Sequence, residues 1–92
     1  MANILAAGTT ATSSSTFTLD GTTETTLKVI GATGGSFLPD DELMFIEYQG
    51  SDNGWVPFSM LTTAAPIVVL KAAGTFRVRR VALLADVGCD RD

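Results

Sequence analysis

Histidine is absent from this chain, and cysteine occurs once, as Cys89. The common zinc, copper and haem ligand sets are therefore out of reach, the commonest general base is missing, and no intrachain disulfide can form. Cys89 sits so close to the C-terminus that a core role is not expected of it. Charge is scarce as well: six basic and ten acidic residues make up 17% of the chain and leave a formal net charge of −4. Phosphate binding depends on clustered Lys and Arg, so nucleic acid is not expected as a partner. Long apolar runs are lacking too. The longest, Pro66 to Leu70 and Val81 to Ala85, fall far short of the roughly twenty residues a bilayer requires. The opening Met1 to Gly8 has no basic region, and its apolar run from Ile4 to Ala7 is too short for a signal peptide. The expectation is a soluble protein with no membrane partner.

What is present is a high apolar fraction, 46% of 92 residues, which suits one folded domain rather than a disordered chain. The first 26 residues are far more polar than the rest. A folding unit of roughly seventy residues then carries the core, and at that size a core supplies only about 3–5 kcal/mol. With disulfides and metals out of reach, oligomerisation is the favoured stabiliser. Residues 1–15, ending in Thr9-Thr10-Ala11-Thr12-Ser13-Ser14-Ser15, read as an extended N-terminal arm that orders against a neighbour. Residues 16–92 read as a β-sandwich domain.

Period-two alternation runs through Thr16-Phe17-Thr18-Leu19 and Thr25-Thr26-Leu27-Lys28-Val29-Ile30, with Asp20-Gly21 as a turn. Gly31 to Ser36 is a loop, and Pro39-Asp40-Asp41 a turn. Glu42 to Gln49 is the strongest strand. Leu43 and Phe45 lie on one face and Met44, Ile46 and Tyr48 on the other, so both faces should be covered. Asn53-Gly54 marks a hairpin, because both residues tolerate positive φ. In the return strand Trp55 to Met60, Pro57 lacks an amide donor and predicts a sheet edge or a bulge. Pro66 to Leu70 is a β-branched run, and Thr75 to Arg79 alternates again. If that strand continues through Val81-Ala82-Leu83-Leu84, the adjacent Arg79 and Arg80 predict a bulge. The pattern gives an all-β fold, a small antiparallel sandwich or barrel of about six or seven short strands.

Candidate chemistry is sparse. Ser13, Ser14 and Ser15 have no histidine to activate them, and nothing in the spacing brings Lys28 or Lys71 to their aid. Asp40-Asp41-Glu42 and Asp52-Asn53 carry oxygen ligands but lack the calcium-loop pattern, and turns select the same residues. No catalytic, metal or cofactor residue is assigned, and an enzyme is not expected. Lys71, Arg77, Arg79 and Arg80 gather most of the positive charge. Arg77 and Arg79 share a strand face while Arg80 points away. A solvated face with Glu42 or Glu47 as cross-strand partners is favoured, with a partner-binding patch of Arg77, Arg79 and Arg80 as the alternative. Tyr48 and Trp55 offer a possible glycan-stacking platform, although a core or interface anchor is the commoner role for such a tryptophan.

The stretch from Phe45 to Arg79 contains a strand, the Gly50-Ser51-Asp52-Asn53-Gly54-Trp55 hairpin, Val56-Pro57-Phe58, and Val69-Leu70-Lys71-Ala72-Ala73-Gly74-Thr75-Phe76-Arg77-Val78-Arg79. It resembles small β-sandwich virion proteins of tailed bacteriophages, most of all capsid decoration (cement) proteins. The resemblance implies a non-enzymatic role on the capsid surface of a virion assembled in the host cytoplasm. It also implies the major capsid protein as partner and a homotrimer as oligomer. In that setting Ile4, Leu5 and Phe17 are expected to touch neighbouring chains. A glycan- or receptor-binding module, or a tail or neck component, is the alternative within the same resemblance.

Overall fold

A computed structural model describes residues 2–31, 43–62, 64–81 and 87–92. The strands are β1 (Ala2–Gly8), β2 (Thr12–Ser13), β3 (Phe17–Asp20), β4 (Thr25–Gly31), β5 (Met44–Gln49), β6 (Trp55–Leu61), β7 (Ile67–Leu70), β8 (Ala73–Arg80) and β9 (Val87–Arg91). They form two antiparallel sheets packed face to face, a small β-sandwich. The first sheet runs β1-β9-β4-β7; the second runs β2-β8-β5-β6, with β3 also on β8. Thr12 and Ser13 pair with Arg80 and Arg79, and Phe17 to Asp20 pair with Phe76 to Ala73, so β2 and β3 are two pieces of one edge. Ser14 bridges the break. Its amide donates to the Val78 carbonyl at 2.8 Å, and its hydroxyl accepts the Val78 amide at 2.9 Å.

Alternation places one set of side chains between the sheets. Leu5, Leu27, Val29, Leu70, Val87 and Cys89 come from the first sheet; Phe17, Leu19, Met44, Ile46, Leu61, Phe76 and Val78 come from the second. Each fully buried aliphatic or aromatic side chain contributes roughly 1.5–3 kcal/mol, so a dozen of them dominate the stability of so short a chain.

The hairpin forms where Asn53-Gly54 predicts it. Asn53 has φ 65°, the Gly50 amide donates to the Gly54 carbonyl at 2.8 Å, and the Asp52 carboxylate accepts the Gly54 amide at 2.9 Å. Pro57 meets both of its expected conditions: β6 is a sheet edge, and the pairing jumps from Ile46↔Ser59 to Glu47↔Pro57, leaving Phe58 as the extra residue of a bulge.

Three expectations need correction. The N-terminal segment is extended, but Ala2–Gly8 pairs with β9 of its own chain, and Leu5 is buried in the same core as the rest. The division into an arm of 1–15 and a domain of 16–92 therefore does not follow the packing. Cys89 is fully buried at the centre of β9, not a peripheral terminal residue. The third concerns Arg79-Arg80. β8 stays in register with β5 from Tyr48↔Phe76 to Met44↔Arg80 with no bulge, and Arg80 continues the inward series of Phe76 and Val78. Residues 82–84, into which a longer strand would run, lie outside the described residues, as do the turn at Pro39-Asp40-Asp41 and Glu42.

Candidate protein-docking face

Only one group of the expected site residues is brought together, on the outer face of the β6-β5-β8 sheet. Period two turns Phe45 and Glu47 of β5 and Arg77 and Arg79 of β8 to the same side, opposite the buried Met44, Ile46, Phe76 and Val78. Arg77 donates from Nε to Glu47 Oε1 at 2.8 Å, and Arg79 from Nε to Glu47 Oε2 at 2.9 Å. The Arg77 guanidinium lies over the Trp55 ring, 4.3 Å from its centroid, and the Arg79 guanidinium over Phe45 at 4.7 Å. The result is a continuous ladder, Trp55–Arg77–Glu47–Arg79–Phe45. Glu47 is its centre: its side chain is only 6% exposed, against 25% for Arg77 and 35% for Arg79. Burial alone would raise the Glu47 pKa, but hydrogen bonds from the two arginines, reinforced by their charge, hold it below the ordinary glutamate value.

This arrangement fixes flexible side chains before any partner arrives. Each guanidinium is held on one edge by a carboxylate and on one face by an aromatic ring, so little rotamer entropy remains to be lost on docking. Two cations against one anion leave a local positive balance on an acidic chain. Trp, Arg and aromatic neighbours are also the residue types that dominate interface energetics.

The other expected site residues lie elsewhere. Tyr48 and Trp55 lie one register position apart on paired strands, but on opposite faces of the sheet. Tyr48 is on the inner side, with its ring against Phe76 and Phe58 at centroid distances of 5.3 and 6.3 Å, and Trp55 belongs to the outer ladder. One face of Trp55 is already covered by Arg77. A shared glycan platform is not formed by this pair.

Leu5 and Phe17 are core residues, and Ile4 packs partly buried against that core. The apolar surface of Leu5 and Phe17 is taken up within the chain, which corrects the expectation that these two touch a neighbour; Ile4 is only half-buried. Arg80 is 4% exposed and donates to three backbone carbonyls: Thr10 at 2.8 Å, Ala6 at 2.7 Å and Val87 at 2.7 Å. It clasps the N-terminal segment to β9 and is not part of a surface patch with Arg77 and Arg79.

Two further features hold titratable groups. An open depression at one end of the sandwich contains Asp20, Glu24, Arg91 and Asp92. Two of its carboxylates already serve the backbone. Asp20 accepts the Thr22 and Thr23 amides at 2.8 and 3.0 Å, and Asp92 accepts the Thr26 amide at 2.6 Å; these amides lower both pKa values. Among the described residues no three of His, Cys, Asp and Glu gather as a metal-holding group. The Cys89 thiol is pushed up to about 12 by burial, with the Asp90 charge adding to the effect, so it is protonated and unreactive at neutral pH.

The role of Glu47 was half legible in the sequence, as one of two candidate partners for the arginines. Phe45 was not singled out, because an aromatic on an outward position becomes a stacking surface only once the cross-strand register sets Arg79 beside it. The fold and this face define a small antiparallel β-sandwich with a prearranged arginine–aromatic surface. Comparison with protein-family models, curated proteins and solved structures finds no match for the chain.

Proposed function

We propose that this protein is a non-enzymatic structural module that docks onto a larger protein assembly through the outer face of its β6-β5-β8 sheet. The observation that carries this reading is the ladder itself. Two arginines are stacked on Trp55 and Phe45 and fixed by one buried glutamate, an order that a merely solvated strand face does not require. The assembly that fits the sequence resemblance is the head of a tailed phage, with the major capsid protein as partner and head stabilisation as the role. The segment Phe45 to Arg79, which carries that resemblance, also supplies every member of the ladder.

Docking is tested with Trp55→Ala and Arg79→Ala on undecorated capsids. Both side chains are partly exposed, so each variant should stay folded, with a stability loss within about 1 kcal/mol. The expected result is a loss of occupancy of about tenfold or more for each, in keeping with residues that anchor an interface. Full occupancy by both variants would remove the docking role of this face.

A further inference from the structure

The sixteen residues from Trp55 to Leu70 contain no ionisable side chain, although the chain as a whole carries sixteen charged residues among 92. This neutral segment forms β6 and β7, which are edge strands of opposite sheets and touch one another. The large hydrophobics exposed among the described residues, Val56, Phe58, Met60, Ile67 and Val69, all lie on these two strands.

Exposed sheet edges are normally blunted by charge, proline or bulges. β6 has Pro57 and the Phe58 bulge, and β1 has register shifts on both sides of Leu5. The β2/β3 edge is broken at Ser14. β7 is short, four residues between Pro66 and Lys71, but carries no charge, proline or bulge within it: Ile67-Val68-Val69-Leu70 is regular and β-branched, and no described strand pairs with its outer side.

The register shows what that edge offers. The Val29 amide donates to the Pro66 carbonyl, and Leu27 pairs with Val68 and Thr25 with Leu70. In an antiparallel ladder the bonded pairs alternate, so Pro66, Val68 and Leu70 direct their backbone groups to β4, and Ile67 and Val69 direct theirs to the open edge. Two donors and two acceptors are thus presented. A two-fold axis through Val68 would set Ile67 opposite the partner's Val69 and Val69 opposite the partner's Ile67, and all four groups of each copy would be satisfied reciprocally. The same axis sets Lys71 opposite the partner's Ala65, so no like charges meet.

We propose that β7 is a self-association edge, and that a second copy of this chain adds its own β7 antiparallel across it, joining the two β1-β9-β4-β7 sheets into one. A second copy is the occupant that fits because this edge is its own register complement, and the uncharged run from Trp55 to Leu70 keeps like charges out of the contact although each molecule carries a net charge of −4. The side chains at 67 and 69, 54% and 53% exposed, become cross-strand neighbours of their counterparts. Ile67 and Val69 are the exposed hydrophobics of this edge itself, whereas Met60, cross-strand from Phe45, lies on the outer face of the other sheet. A two-fold interface of this kind closes at a dimer.

Sedimentation and native mass measurement of the full chain, from micromolar to millimolar concentration, test this directly. The expected species has twice the 9.6 kDa of the chain. Ile67→Lys combined with Val69→Lys sets like charges opposite each other in both pairs and should weaken the dimer at least about tenfold. Ile67→Lys combined with Val69→Glu sets opposite charges in the same pairs and should restore it. Circular dichroism confirms folding, and the single Val69→Lys variant gives a second reading if the double-lysine protein does not fold. A wild-type protein that stays monomeric, a three-fold mass, or a folded lysine variant that dimerises like wild type would overturn the proposal. Arg79→Ala, on the other sheet, should leave the dimer mass unchanged, so failure of self-association and failure of capsid docking are read separately.

Discussion

The two faces of β8 carry three arginines within four residues, and they use them in opposite ways. On the outer face Arg77 and Arg79 are paired with a carboxylate and lie on aromatic rings at the protein surface. On the inner face Arg80 takes the position that Phe76 and Val78 would predict for an apolar side chain, and donates to three backbone carbonyls, two of the N-terminal segment and one of β9. A guanidinium has five N–H donors in a fixed fork, so it can satisfy several carbonyls that no single strand could reach. The same residue type is thus a surface anchor or an internal clasp according to which side of one strand it falls on.

The comparison is most sharply broken by Arg80→Ala. Three charge-assisted bonds are lost, and the carbonyls of Ala6, Thr10 and Val87 lose a donor at a buried site, so we expect a loss of about 3–5 kcal/mol in urea unfolding. Arg80→Lys should recover only part of this, because one ammonium cannot reproduce the fork. If instead Arg80→Ala cost no more than the outer-face substitution Arg79→Ala, the distinction between clasp and anchor would fail.

Gly74→Ala probes the inner face at its other end. Gly74 has φ +143°, and a Cβ there would land on the Tyr48 ring, which packs edge-on against Phe76. Backbone strain and ring displacement together should cost about 2–3 kcal/mol, seen as a lowered thermal midpoint.

The smallest stability effect belongs to the outer face. Glu47→Gln keeps the shape of the ladder but removes its negative charge, for an expected loss of about 1–2 kcal/mol at neutral pH. The Glu47 pKa is depressed in the folded protein, so its contribution is fully present above the unfolded value, near 4.5, and fades as pH falls through the lower folded value. The gap between wild type and Glu47→Gln should therefore narrow as unfolding is repeated below about pH 4.5. The depressed Asp20 and Asp92 lose stability in the same direction, but equally in both proteins.

The strands from Phe17 onward were legible because their apolar residues alternate and Gly, Asn-Gly and Pro punctuate them. The ends of the chain were not. Ala2–Gly8 has only two large apolar residues, Ile4 and Leu5, and Val87–Arg91 mixes Gly, Asp and Arg, so neither reads as a strand alone. They form one because each completes the other: Asn3, Leu5 and Gly8 pair with Asp90, Cys89 and Val87, and Gly88 lies where a Cβ would meet the Leu5 carbonyl. Pairing between opposite ends of the chain leaves no local period to detect. For the candidate site, the shared face of Arg77 and Arg79 followed from period two, whereas the opposite faces of Tyr48 and Trp55 depended on the hairpin register, which sets Trp55 across from Gln49.

By itself the sequence determined the β class, the hairpin at Asn53-Gly54, the special position of Pro57 and the absence of histidine chemistry, because each is a property of a few adjacent residues. Only the tertiary structure decided that the N-terminal segment is an edge strand, that Cys89 is core, and that Arg80 turns inward while Arg77 and Arg79 stack on Trp55 and Phe45. Those outcomes depend on which distant backbone and ring lie across from each residue, and a strand cannot specify its partner until the sheet is formed.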